Sequence, residues 1–97
     1  MELRGRTFII TGASAGIGKA LAVLLSREGS NLVLNARERE PLARAAGECE
    51  ESGVAVDYVA GDAGNGRTTA EAVGKAIQIG GFSGFVHDAG VARQESR

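Results

Sequence analysis

Apolar and polar positions follow one another along this chain in two rhythms. Thr7-Phe8-Ile9-Ile10-Thr11 is a short, unbroken apolar and β-branched run, which suits a strand covered on both faces. Beyond a glycine-rich turn, Ile17, Leu21, Leu24 and Leu25 recur at helical spacing. A helix there is predicted to bury that aliphatic side and expose Lys19, Arg27 and Glu28. Gly29 stands where such a helix wants a left-handed residue to end it. Asn31 to Ala36 reads as a second buried strand. A second helix is predicted from near Arg39, with Pro41 tolerable only in its first turn. Its apolar stripe is Leu42, Ala46 and Cys49, Gly53 ends it, and Gly47 in its middle costs about 1 kcal/mol relative to alanine. Val54 to Ala60 is the third strand, and Thr69, Val73, Ala76 and Ile77 mark a third helix stopped by Gly80-Gly81. Gly84 to His87 is a short fourth strand, after which the polar end from Arg93 to Arg97 gives no structural signal.

The predicted order is therefore β-α-β-α-β-α-β. Apolar strands alternating with helices of about 10–15 residues predict a parallel sheet with right-handed crossovers. The expected fold is α/β, a partial Rossmann-type doubly wound parallel sheet of four strands in order 3-2-1-4. Ninety-seven residues allow one domain at most, expected here as a single partial dinucleotide-binding domain over residues 1–97.

Composition narrows the function classes. The chain is 43% hydrophobic and 24% charged with a net charge of −1, and its Lys and Arg residues form no block. Nucleic acid and anionic membranes are therefore excluded as expected partners. No apolar run approaches the roughly 20 residues that span a bilayer. The single cysteine, Cys49, has no internal disulfide partner, and a cytoplasmic, reduced setting is expected. Its place on an apolar helix face predicts an inert core thiol. His87 has only Asp88 beside it as a ligand type, so no metal site is expected.

The chemistry lies in the turn after the first strand, Thr11-Gly12-Ala13-Ser14-Ala15-Gly16-Ile17-Gly18. Glycines let the backbone turn sharply and approach a phosphate, and the following helix aims its free N–H groups and positive dipole end at that phosphate. A strand before the motif and an amphipathic helix after it supply the context that three glycines alone lack. A mononucleotide P-loop fails at two positions. Ala13 stands where its leading glycine belongs, and Ala20 where its magnesium-binding hydroxyl belongs. At the end of the second strand, where a dinucleotide fold places an acid on the ribose or an arginine on a 2′-phosphate, the chain reads Asn35-Ala36-Arg37. Arg37 offers a planar fork suited to a phosphate. This favours NADP(H), with NAD(H) as the alternative and a merely solvated Arg37 as the plain one.

The pattern Thr-Gly-x-x-x-Gly-x-Gly resembles that of the short-chain dehydrogenase/reductase family. Gly61-Asp62-Ala63 is similar to the family's adenine-binding aspartate segment, and His87-Asp88-Ala89-Gly90 to its Asn-Asn-Ala-Gly segment. The three matches fall in order along almost the whole chain. The resemblance implies that Gly12, Ser14, Gly16, Ile17 and Gly18 line the cofactor's phosphates and adenosine ribose, and that Arg37 holds the 2′-phosphate. It further implies that Asp62 and Ala63 meet the adenine, while Ala89 and Gly90 reach the nicotinamide-side ribose. Two departures stand out. Ala15 occupies a position that is often basic in NADP-preferring members. His87-Asp88 replaces two asparagines, so hydrogen bonds that stabilise the central sheet in relatives have to be remade.

The family's catalytic Tyr-x-x-x-Lys pair cannot be drawn. The only tyrosine is Tyr58, expected to be a strand residue packing on a helix, with Asp62 four places on; the lysines are Lys19 and Lys75. No catalytic residue is therefore expected among these 97 positions. The resemblance implies an NADP(H)-dependent oxidoreductase transferring hydride to or from a carbonyl or alcohol substrate, represented by its cofactor-binding half. A non-catalytic nucleotide-binding module and a fragment without independent function remain the alternatives. Strand four as an open edge predicts self-association, and a homo-oligomer is expected.

Overall fold

Strands that must be covered on both faces dictate the architecture. In the computed structural model, which describes residues 2–87, the elements are β1 (Thr7–Thr11), α1 (Gly16–Arg27), β2 (Asn31–Ala36), α2 (Arg39–Glu50), β3 (Val56–Ala60), α3 (Gly66–Ile79) and β4 (Gly84–Val86). The four strands form one parallel sheet in the order β3-β2-β1-β4, as the alternation predicts. β1 and β2 occupy the predicted residues, because all five positions of β1 and the last five of β2 are buried. No helix among the described residues is long and apolar enough to cross a membrane.

Side chains alternate between two cores. Phe8, Ile10, Leu32 and Leu34 pack with Ala22 and Leu25 of α1 and with Leu42, Ala45, Ala46 and Cys49 of α2. Ile9, Val33 and Val59 face the other way, onto Ala72 and Ala76 of α3. Tyr58 packs against the first core, the structural role predicted for it, and Cys49 is buried within that core. The chain thus leaves β1 over one face of the sheet and arrives at β4 over the other.

Four predictions need correction. In α1, Ile17 and Leu24 are exposed, at 79% and 55%, and the helix approaches the sheet instead through Gly18, Ala22, Leu25 and Ser26. Small residues allow closer approach than an aliphatic stripe does, and hydropathy spacing does not register them. In α3, Ile77 is likewise exposed, while Ala72 and Ala76 make the contact. The third strand starts at Val56 and not Val54. The Ala55 amide donates to Asn31 Oδ1 at 3.0 Å, although the Ala55 carbonyl accepts from Leu32 N. The fourth strand stops at Val86, one residue short of the prediction.

Candidate functional site

The C-terminal ends of β1, β2, β3 and β4 all lie at one edge of the sheet, and the motif residues gather there. After Thr11 the backbone turns at Gly12, φ 64°, and again at Gly16, φ 59°. Both lie in the left-handed region that costs other residues about 1–2 kcal/mol. The turn is tied to β2 by the Ala13 amide, which donates to the Asn35 carbonyl at 3.0 Å. At buried Gly18 an added Cβ would collide with the Gly12 carbonyl oxygen. That glycine lets the first turn of α1 press against the end of β1.

The cradle so formed is open. An added Cβ at Gly16 would meet nothing within 4 Å. Helix α1 begins after Ala15 with no side-chain cap and no acid in its first turn, so among the described residues neither a capping side chain nor a first-turn carboxylate occupies its mouth. A helix start left this way favours an anion. Ile17 projects there almost fully exposed, available to a ligand and not to the core, and Ser14 is half-buried in the turn. Lys19, which a P-loop would need for phosphate, is engaged by Glu48 of α2 at 2.8 Å.

The tips of β2 and β3 carry the second group. Asn35 is buried, and its Nδ2 donates to the Val59 carbonyl at 2.9 Å and the Gly61 carbonyl at 3.1 Å. Both amide protons of this side chain therefore strap β3 to β2. Arg37 follows two residues later with its side chain 80% exposed, its Nη2 4.0 Å from Asp62 Oδ2. Asp62 uses its other oxygen to accept from the Gly64 amide at 2.8 Å. Ala63 lines a shallow hollow beneath this edge with Thr11, Asn35, Thr68 and Phe85.

Thus Gly12, Ser14, Gly16, Ile17 and Gly18 form one cluster, and Arg37, Asp62 and Ala63 lie together on the neighbouring strand tips. Ala89 and Gly90 lie outside the described residues. Two further side chains hold this edge together. Asn35 is one, and its signal was only a polar residue in an otherwise apolar strand. His87 is the other, with Nδ1 3.0 Å from Thr11 Oγ1.

A profile of the short chain dehydrogenases matches residues 6–97. The chain belongs to the short-chain dehydrogenase family. This is a family of oxidoreductases, and its members bind a dinucleotide. An uncharacterised oxidoreductase of Bacillus subtilis is 37% identical over 79 residues, covering 80% of this chain and 28% of the relative. The L-sorbose reductase of Gluconobacter frateurii, solved with NADPH and L-sorbose, is 34% identical with a TM-score of 0.84, over 99% of this chain and 38% of that protein. A xylitol dehydrogenase solved with NAD+ is 26% identical with a TM-score of 0.79, over 88% of this chain and 33% of that protein. This short-chain dehydrogenase chain spans roughly a third of the length of the proteins it matches.

Proposed function

We propose that this chain is the NADP(H)-binding half of an oxidoreductase that acts on a carbonyl or alcohol substrate. The observation that carries the reading is the open cradle. A left-handed glycine faces empty space at the uncapped start of α1, and the one position where a Cβ would block the close approach of that helix is also glycine. A diphosphate fits those features, since backbone N–H groups and the positive end of a helix bind it without any side chain.

In this reading the residues divide the dinucleotide between them. Gly12, Ser14, Gly16 and Gly18 receive the diphosphate and the adenosine ribose, and the exposed Ile17 covers the cofactor's apolar surface and excludes water from it. Arg37 pairs with a 2′-phosphate, and Asp62 and Ala63 meet the adenine. Ala89 and Gly90 would reach the nicotinamide-side ribose. The bound nicotinamide supplies or accepts the hydride. The setting proposed is the cytoplasm, with the full protein as a homo-oligomer. The related proteins solved with cofactors hold NADPH in one case and NAD+ in the other, so the preference proposed here rests on Arg37.

Calorimetric titration of the full protein with NADPH and NADH tests this. NADPH is expected to bind more tightly. Arg37→Ala should weaken NADPH roughly 10- to 100-fold, the worth of a charge-assisted contact to phosphate, and leave NADH unchanged. Equal affinities, or an Arg37→Ala protein that binds NADPH normally, would remove the assignment to Arg37. An absence of binding by either nucleotide would remove the whole reading.

A further inference from the structure

A buried amide side chain destabilises the fold unless it finds partners, so the partners of Asn35 indicate its role. β2 is otherwise apolar from Leu32 to Ala36, and Asn35 within it is only 2% exposed. The ladder between β2 and β3 ends with the pair Ala36 and Ala60. Gly61, one step beyond, is held from three sides. Its amide donates to the Ala36 carbonyl at 2.9 Å, and its carbonyl accepts from Asn35 Nδ2 at 3.1 Å. Thr68 of α3 stands so close that a Cβ at Gly61 would lie 2.6 Å from the threonine Oγ1. The Gly61 carbonyl belongs to the peptide that leads into Asp62. The carbonyl of Asn35 itself, meanwhile, accepts from the Ala13 amide in the glycine turn. One residue is thus bonded to both groups of the candidate site.

We propose that Asn35 is a positioning residue that fixes Asp62 relative to the glycine cradle, and so strengthens the hold on the adenosine end of the dinucleotide. This rests on the dinucleotide reading above. A ligand that bridges two groups binds best when their separation is already set, because ordering them on binding costs affinity. The cradle end needs nothing from the Asn35 side chain, since its bond to Ala13 is main chain. The Asp62 end does. Without Nδ2, the Gly61 residue is tied to β2 by its amide alone.

The neighbouring contacts leave this task to Asn35. The turn after Gly61 is braced within itself, with Asp62 Oδ1 accepting from the Gly64 amide at 2.8 Å and the Asp62 carbonyl from the Asn65 amide at 2.9 Å. It therefore moves as a unit, and the strap from β2 places that unit. Arg37 gives no comparable hold. Its Nη2 stands 4.0 Å from Asp62 Oδ2 with the arginine side chain 80% exposed, and ion pairs so exposed contribute little.

The test is a double-variant cycle on the full protein, read as calorimetric affinity for NAD+. NAD+ is the probe because it carries no 2′-phosphate for an Arg37 freed of Asp62 to bind. Asn35→Val removes both donors and keeps a side chain that suits a buried strand. It is expected to weaken NAD+ roughly 3- to 10-fold, the worth of a hydrogen bond, and Asp62→Ala should weaken it at least as much. In the Asp62→Ala background, Asn35→Val should cost less than about 1.5-fold more, because the group it positions is gone. A merely structural Asn35 lowers affinity by the same factor in both backgrounds, and that result overturns the proposal. So does wild-type affinity in Asn35→Val or in Asp62→Ala, and each of these leaves the cradle standing. If the wild type binds neither NAD+ nor NADPH, the dinucleotide reading fails and this one with it. Urea melts fix conditions in which all four proteins are folded, and Asn35→Ala takes the place of Asn35→Val if the larger side chain prevents folding.

Discussion

Gly16 and Gly18 are glycine for different reasons, and their alanine variants should fail differently. Gly18→Ala forces a methyl group onto the Gly12 carbonyl, and a backbone atom cannot swing aside. It is expected to lose about 1–3 kcal/mol of stability in urea unfolding, the range for overpacking, together with dinucleotide affinity. Gly16→Ala meets open space and costs about 1–2 kcal/mol for its left-handed backbone. Its larger effect should be on affinity, because the added methyl group stands in the cradle. Cys49 gives a pH dependence. Burial pushes its thiol up, Ser26 opposes this through a hydrogen bond, and Glu48 adds to the rise. The unfolded thiol ionises near its ordinary value of 9.0 while the folded one keeps its proton. The resulting stabilisation relative to the ionised form is intact below that value and is lost as pH rises past it. Urea melts of Cys49→Ala between about pH 8 and 10 should show a shallower alkaline decline than wild type. At this scale the glycine positions were legible in the sequence, since the backbone itself demands them. The role of Asn35 was not, because it is defined by partners 24 and 26 residues away.

Strands, helix starts and helix faces differ in how plainly the sequence marks them. β1 and β2 matched residue for residue because burial on both faces leaves an unbroken apolar run. The contact face of α1 did not, since Gly18, Ala22 and Ser26 pack closely without a hydrophobic signature. The start of α3 also carried a signal that the apolar spacing passed over. Asn65 caps it, with Oδ1 accepting from the amides of Arg67 at 2.8 Å and Thr68 at 3.4 Å. Asn65→Ala is expected to cost about 1 kcal/mol in thermal or urea unfolding. Gly47 in α2 and Gly74 in α3 are helical, and a Cβ at either would meet nothing within 4 Å. Gly47→Ala and Gly74→Ala should each add about 0.5–1 kcal/mol of stability. Neither should alter cofactor affinity, which separates these glycines from those of the cradle.

For the whole molecule, the order β3-β2-β1-β4 leaves β4 at one edge of the described sheet, beside exposed Phe82 and Phe85. A strand edge flanked by aromatic surface invites pairing. The 97-residue chain by itself is expected to self-associate, and light scattering that reports a monodisperse monomer would contradict this. The strand order was legible because alternating strands and helices permit few parallel arrangements. The side-chain contacts that hold the three-residue β4 in place were not, since Thr7 with Ser83 and Thr11 with His87 join the two extremes of the chain. The close approach of Gly18 to the Gly12 carbonyl has a wider meaning. A receptor outlined by main-chain atoms has no rotamers to misalign, no group to oxidise and no proton to lose. On the dinucleotide reading proposed above, the side chains around it can be exchanged while the main-chain outline that would receive the phosphates keeps its shape.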